Sequence, residues 1–346
     1  PTVSNSSKTF TISPSSNLSS SNTYKIRVTT SVKDNSSVVG NSLSSQWTTS
    51  SGFTVGWSIQ GGTSSEDRAY GIAIDNSTGN IYITGHTKGN LEGNTLSGTK
   101  DLFVTKYNSG GIRQWTTTLG TSSEETAGAD VSIDSSENVF LTGYATGALD
   151  SNTNAGAKDV LVAKYNSSGT KQWTKQLGTS SLESVAGIVT DPSGNIYVAG
   201  STEDALGGNS NAGDYDIYLI KYNSSGTSQW IKQLGSSAKD HFWQSGDGIA
   251  IDSANNIYVT GYTAGGLDSN SSSGGDDAFL VKFDSLGSKQ WTRQLGTSSN
   301  DNGMLVTVDS SDSIYVSGYT LGALEGSNQG SSDVFLSKYN TSGNLQ

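Results

Sequence analysis

The sequence predicts an all-β protein built as a five-bladed β-propeller, and three observations support this prediction. First, tryptophan recurs at intervals of 57 to 61 residues, at Trp57, Trp115, Trp173, Trp230 and Trp291. Second, each interval contains the same order of short apolar segments, separated by turns rich in Asn and Gly. Third, the chain has only 3 prolines and no long run of helical periodicity. A fixed period of this kind is typical of solenoids, propellers and arrays.

Each repeat reads as four antiparallel strands. In the second repeat they are "ADVSID" (129–134), "VFLTG" (139–143), "DVLVAKYN" (159–166) and "KQWTKQLG" (171–178). Four antiparallel strands form one propeller blade. In "KYNSSGTKQW" (164–173), Asn begins the turn and Gly takes the position that needs positive φ. The first hairpin turn carries a repeated aspartate, which we expect to accept hydrogen bonds from turn amides: Asp75, Asp134, Asp191, Asp252 and Asp309.

The chain has five first strands but only four fourth strands after them. The segment "FTVGWSIQGG" (53–62) has the pattern of a fourth strand and precedes the first blade. We therefore expect it to pair with "DVFLSKYN" (333–340) and close the ring, since closure removes free sheet edges. The alternative is that the five repeats are a piece of a longer array.

The unit "GIAIDNSTGNIYITGHTKG…KDLFVTKYN" resembles the bacterial SBBP β-propeller repeat, over about residues 57–346. The family name implies seven blades, whereas five repeats are present here. The resemblance implies a secreted or cell-surface bacterial protein. It supplies no general catalytic motif.

The first fifty residues resemble the second half of a bacterial Ig-like domain, through "TFTISPSSNL", "YKIRV" and the ending "QWTT". We expect a partial Ig-like segment over residues 1–51 and the propeller over 52–346. Strands are predicted at 9–13, 23–30 and 45–50, fewer than the seven or so that a sandwich needs. Either upstream strands were removed, or a neighbouring subunit supplies them by strand donation.

Composition excludes several classes of function. The net charge of -11 and the pI near 4.6 oppose binding to nucleic acid or to an anionic membrane, which requires clustered Lys and Arg. With no cysteine, the chain has no disulfide, no catalytic thiol and no Cys-ligated zinc. No apolar stretch approaches the length of a membrane span. We expect no resident cofactor.

An acidic residue ends each link between blades, and these residues are candidate Ca²⁺ ligands because hard oxygens suit that ion. The alternative is a structural role, in which each acid accepts hydrogen bonds from nearby amides. The candidates are Asp67, Glu125, Glu183, Asp240 and Asp301.

Residues that differ among the blades are better candidates for an asymmetric ligand site than those that repeat. The fourth link is expanded to "SSAKDHFWQSGDG" (236–248), and the position after the second strand's glycine also varies. Aromatic side chains beside acids and amides suit sugar rings, although Trp243 as an apolar plug is an equal alternative. The candidates are His241, Phe242, Trp243, Gln244, His86, Tyr144, Tyr262 and Tyr319.

The sequence favours a non-catalytic surface or secreted module that binds or scaffolds, with a glycan or a surface protein as partner. The first alternative is a glycoside hydrolase that uses two channel carboxylates in unlike environments. The second is a structural subunit of a surface assembly, completed by strand donation to the Ig-like segment.

Overall fold

The computed structural model describes residues 2–6, 9–13, 47–48, 54–55, 57–122, 128–242 and 247–346. The chain divides into two compact units, Pro1–Gln60 and Gly61–Gln346. In the described residues there is no α-helix, and none of their helical turns is long and apolar enough to cross a membrane.

The first unit contains two short antiparallel pairs. Strand β1 (Thr2–Ser6) pairs with β2 (Thr9–Ser13), and β3 (Trp47–Thr48) pairs with β4 (Thr54–Val55). The predicted strands at 9–13 and 45–50 correspond to β2 and β3. The predicted strand at 23–30 lies outside the described residues.

The second unit consists of five antiparallel sheets, which confirms the all-β fold class and the five blades. Blades 1 to 3 contain β5 (Asp67–Ile74), β6 (Ile81–Thr87), β7 (Asp101–Tyr107), β8 (Arg113–Leu119), β9 (Gly128–Ile133), β10 (Val139–Ala145), β11 (Asp159–Tyr165), β12 (Lys171–Leu177), β13 (Glu183–Thr190), β14 (Ile196–Thr202), β15 (Asp216–Tyr222) and β16 (Ser228–Leu234). Blades 4 and 5 contain β17 (Asp240–His241), β18 (Ile249–Ile251), β19 (Ile257–Thr263), β20 (Asp277–Phe283), β21 (Lys289–Leu295), β22 (Asp301–Val308), β23 (Ile314–Thr320) and β24 (Asp333–Tyr339). The expanded fourth link interrupts the first strand of blade 4, so β17 and β18 both pair with β19.

The turns have the chemistry that the sequence predicts. Asp191 Oδ1 accepts hydrogen bonds from the amides of Ser193 and Asn195, and Asn166 Oδ1 accepts from those of Ser168 and Thr170. The same pattern recurs in the other blades. These local bonds fix the length of each hairpin and therefore the register of its strands.

Neighbouring blades bury their apolar faces against each other. Between blades 1 and 2, Tyr82, Leu102 and Val104 share a buried cluster with Val131 and Leu141. Equivalent clusters join blades 2 and 3, blades 3 and 4, and blades 4 and 5. Because burying one large aliphatic side chain is worth about 1.5–3 kcal/mol, these junctions are the main source of stability in the second unit.

Four of the repeated tryptophans, Trp115, Trp173, Trp230 and Trp291, lie at these junctions. The Trp115 ring lies 6.1 Å from the Tyr82 ring of its own blade, and its Nε1 donates to the Ser167 carbonyl of the next blade at 3.0 Å. Gly169 of the next blade lies so close that an added Cβ would stand 2.7 Å from the indole. Each of these four tryptophans therefore joins two blades.

The lysines that recur near the ends of the third strands do not simply extend into solvent. Lys106 lies opposite Trp115 across the β7–β8 pair, and it is buried. Its ammonium lies 5.3 Å from the Tyr82 ring centre and donates to the carbonyl of Ser167 at 3.4 Å. Lys164 donates to Ser224 in the same way, because the register of the third and fourth strands aims each ammonium at the next blade's turn.

The predicted closing strand is the one departure from the expected ring. Among the described residues, β24 pairs with β23 and with no other strand, so blade 5 has three described strands. Within the segment that was expected to fill this edge, the backbone of Thr54–Val55 pairs with that of Trp47–Thr48. Trp57–Gln60 is not in a strand.

Candidate functional site

The ends of the strands define a rim on the long-loop side of the blades. In blade 1, Asp67 at the start of β5 lies opposite Thr87 at the end of β6, which lies opposite Asp101 at the start of β7. The links between blades and the loops between second and third strands leave from this edge. Four positions next to this edge differ among the blades: the residues before and after the link acid, the residue after the second strand's glycine, and the residue before the third strand. We call these positions the rim. Its described residues include Glu66, Arg68, His86, Lys100, Tyr144, Lys158, Leu182, Ser184, Ser201, Tyr215, Lys239, His241, Tyr262, Asp276, Asn300, Asn302, Tyr319 and Ser332.

The repeated acids beneath the rim hold the links in place. Glu183 accepts hydrogen bonds from the amide and the hydroxyl of Thr179 and from the hydroxyl of Thr202. Asp67, Asp240 and Asp301 receive the equivalent amide and hydroxyl bonds from the Thr or Ser four residues earlier. These bonds match the structural alternative.

The candidate metal ligands belong to different blades, and Glu125 lies outside the described residues. Among the described residues, no group of three or more His, Cys, Asp or Glu side chains could hold a metal ion. Ca²⁺ binding therefore stays a prediction.

An aromatic cluster occupies the rim between blades 3 and 4. The His241 ring meets the Tyr215 ring edge-on at 4.6 Å between centres and stacks on the Tyr262 ring at 6.0 Å. The Lys239 ammonium lies 5.3 Å from the Tyr215 ring centre and 5.5 Å from that of Tyr262. We call Tyr215, Lys239, His241 and Tyr262 the aromatic cluster. Two of them, His241 on β17 and Tyr262 on β19, were predicted from the sequence, and they lie opposite each other in the sheet.

Burial and neighbouring acids set the protonation of the aromatic cluster. Burial, with a hydrogen bond to the Glu203 carboxylate, raises the pKa of Tyr215 to about 12. Burial lowers the pKa of His241 below its usual value, so its ring is neutral at pH 7 and contacts the Phe242 carbonyl through Nδ1. The cluster therefore combines neutral rings with one ammonium and one carboxylate. Such a surface suits a ring with hydroxyl groups.

Tyr319 of blade 5 lies near the same region. Its pKa is raised by burial and by the charges of Asp276 and Tyr262. Asp276 itself interacts electrostatically with Lys239. Tyr319 and Asp276 thus interact electrostatically with residues of the aromatic cluster.

The other predicted rim residues lie in separate blades. His86 in blade 1 is buried, and its Nε2 lies 3.1 Å from Glu66 Oε1, while its ring contacts Tyr70. Burial lowers the pKa of His86. Tyr144 in blade 2 lies under the Lys158 ammonium, 4.5 Å from the ring centre.

The expanded link contributes less to the surface than its sequence suggests. Phe242 is only 5% exposed and meets Phe279 edge-on at 6.1 Å, so it belongs to the core between blades 3 and 4. It is too deeply buried to contact a ligand. Trp243 and Gln244 lie outside the described residues.

One buried acid breaks the symmetry of the innermost strands. Asp130 stands where blades 1, 3 and 4 have Gly71, Gly187 and Gly248. Its two carboxylate oxygens accept hydrogen bonds from the amides of Val131 and Ile188. Burial raises the pKa of Asp130 to about 7, and the charge of Asp247 adds to this effect.

Comparison with known families agrees with this geometry. The "Beta-propeller repeat" family (SBBP) matches five times, over residues 56–92, 114–155, 172–205, 229–268 and 290–324, which is more than half of the chain. The chain belongs to the SBBP β-propeller repeat family. Residues 1–55 match the bacterial Ig-like domain family Big_5, which is typical of bacterial surface proteins.

Two curated proteins share part of the SBBP region. The regulatory protein FlaEY of Caulobacter vibrioides is 26% identical over 223 residues, which is 56% of this chain and 23% of that protein. The uncharacterized WD repeat-containing protein L264 of Acanthamoeba polyphaga mimivirus is 26% identical over 202 residues, which is 49% of this chain and 14% of that protein. The chain thus spans less than a quarter of either relative.

Among solved structures, a gluconolactonase from Xanthomonas campestris aligns with a TM-score of 0.40 and 11% identity, covering 80% of this chain and 74% of that one. A similarity at this level carries no argument about the activity of the SBBP blades.

Sequence reasoning missed Tyr215, Lys239, Asp276 and Asp130 as notable residues of the SBBP blades. The signal was present, because each departs from its equivalents in the other repeats. Tyr215 and Asp276 stand directly before Asp216 and Asp277, the first residues of β15 and β20, and Lys239 stands directly before the link acid Asp240. Extending the comparison of blades to these positions would have found them.

Proposed function

We propose that this protein is a non-catalytic binding module, secreted or held at a bacterial cell surface, and that the aromatic cluster on its rim binds a glycan. The observation that carries the proposal is the meeting of Tyr215, His241 and Tyr262 with the Lys239 ammonium. Tyr215, Lys239 and His241 differ from their equivalents in the other blades, so no structural requirement of the repeat accounts for them, while Tyr262 shares its residue type with Tyr144 and Tyr319.

The physical fit to a saccharide rests on two properties. The half-buried Tyr215 ring offers an apolar face for a sugar ring, and Glu203, Asp276 and Lys239 offer hydrogen-bond partners for hydroxyl groups.

The experiment is a glycan-array screen followed by calorimetric titration of the best saccharide. Tyr215→Ala is expected to weaken binding roughly tenfold or more, as for an aromatic anchor. Tyr107→Ala is the matched control, because Tyr107 is also half-buried but ends β7 at the opposite, hairpin edge. Thermal unfolding of both variants controls for folding. The proposal fails if no saccharide binds, or if both variants bind like the parent.

Export is the second part of the proposal, and the Ig-like match at residues 1–55 supports it. Antibody labelling of intact cells of the native host tests it. Labelling that appears only after the cells are lysed would contradict a surface location.

Glycoside hydrolysis is the second candidate, and Asp130 is the observation in its favour. It has the raised pKa of a general acid, and Asp247 lies within electrostatic reach. However, both Asp130 oxygens are bonded to backbone amides in the interior, which favours a structural role. Release of reducing sugar that Asp130→Asn abolishes, in a variant that still folds, would make hydrolysis the better proposal.

A further inference from the structure

The two faces of every blade have different neighbours. We call the face that packs on the preceding blade the leading face, and the opposite one the trailing face. At the junction of blades 4 and 5, Ala278 and Leu280 on the trailing face of blade 4 are buried in one cluster with Val306 and Val316 on the leading face of blade 5. The same assignment holds at the other three junctions.

The leading face of blade 1 is exposed, most clearly at a position that is buried in every other blade. Ile72 is 64% exposed, whereas its equivalent in blade 2, Val131, is 4% exposed. The equivalents in blades 3, 4 and 5 (Ile188, Ile249 and Val306) are likewise buried. The next residue on this face, Ile74, is 54% exposed.

The trailing face of blade 5 is exposed in the same way. Val334 is 86% exposed and Leu336 is 70% exposed, whereas the equivalent Ala278 and Leu280 of blade 4 are 3% and 2% exposed. The outer edge of β24 also lacks a partner strand among the described residues. Exposed β-branched and Leu side chains beside an open sheet edge mark an interaction surface.

The two exposed faces are counterparts. Leu336 occupies the position of Leu280, and Ile72 occupies the position of Val306, and those two residues share a buried cluster at the junction of blades 4 and 5. The trailing face of blade 5 therefore lacks a leading face to pack against, and the leading face of blade 1 lacks a trailing face. Because both faces are exposed, they do not cover each other in the part of the chain that the structure describes.

We propose that the trailing face of blade 5 packs against the leading face of blade 1 in a second copy of this chain, so that copies assemble head to tail. The contact reproduces the blade junction that occurs inside the molecule. It is heterologous, because different surfaces of the two copies meet, so assembly continues as a filament or closes as a larger ring. This inference does not depend on the glycan-binding proposal.

The test blocks one face at a time. Ile72→Lys places a charge on the leading face of blade 1, and Leu336→Lys places one on the trailing face of blade 5. Because both side chains are exposed, both variants are expected to fold. By light scattering after size exclusion, the mass of the parent is expected to grow with concentration, while each variant alone stays monomeric. An equal mixture of the two variants is expected to stop at a dimer, because each supplies one intact face. Leu286→Lys, at an equally exposed leucine in a hairpin turn, is expected to assemble like the parent.

Crosslinking tests whether the surface that packs on each face belongs to a second copy of the chain. The chain has no cysteine, so Ile72→Cys combined with Leu336→Cys introduces the only two thiols. Oxidation is expected to give a ladder of covalent multimers on a non-reducing gel. A crosslinked monomer would show that the chain closes on itself, and a parent that stays monomeric at every concentration would also overturn the proposal.

Discussion

Replacing Asp130 with Asn is expected to remove a large part of the pH dependence of stability. Asp130 is buried between the innermost strands, and burial raises its pKa to about 7 from the ordinary value of 3.8. In the native state the carboxyl is therefore protonated over a pH range in which the unfolded chain has already ionised it.

The sign and size follow from proton linkage. Between about pH 4 and pH 7 the native state holds one proton more than the unfolded state, so the free energy of unfolding falls as pH rises. The stabilising contribution is complete below the unfolded pKa and is lost as pH passes the folded pKa near 7. A difference of about 3 pKa units corresponds to about 4 kcal/mol over the whole range.

The assay is urea unfolding of the parent and of Asp130→Asn at a series of pH values from about 4.5 to 8. The parent is expected to lose about 3 kcal/mol more than the variant across this range. The variant itself loses one acceptor for the amides of Val131 and Ile188, which costs about 1 kcal/mol at every pH. If both proteins have the same pH slope, Asp130 is not a buried acid that titrates near neutrality, and the reasoning is wrong.

Two further substitutions test the blade junctions by urea unfolding. Gly169→Ala is expected to cost more than Gly208→Ala: both glycines have positive φ, but only at Gly169 would the new Cβ press on the Trp115 indole. Equal costs would show that the backbone conformation alone matters. Thr202→Val removes a hydroxyl that donates to the buried Glu183 carboxylate and should cost about 1.5–3 kcal/mol, whereas Thr202→Ser should be nearly neutral. A valine variant as stable as the parent would contradict the structural role of the link acids.

The candidate site shows what comparison of the repeats can and cannot find. His241 was predicted because it lies in the expanded link, and Tyr262 because its position varies among the blades; the antiparallel register brings them together. Phe242 was predicted with them, yet it points into the core, because neighbouring residues of the expanded link face opposite sides. The link does not follow the repeat, so its sequence alone did not indicate which side chains face the surface.

The repeat pattern by itself determined the five blades, the strand order and the turns, since these depend on local alternation and on turn residues that recur in every unit. Whether the two ends of the array meet was decided only by the tertiary structure. The predicted pairing of "FTVGWSIQGG" with β24 was inferred from the sequence pattern of the other third and fourth strands. That pattern does not specify how far each blade is rotated relative to the one before it. The structure leaves Ile72 and Leu336 exposed, because that rotation is set by the side chains packed at each junction and is summed over all of them.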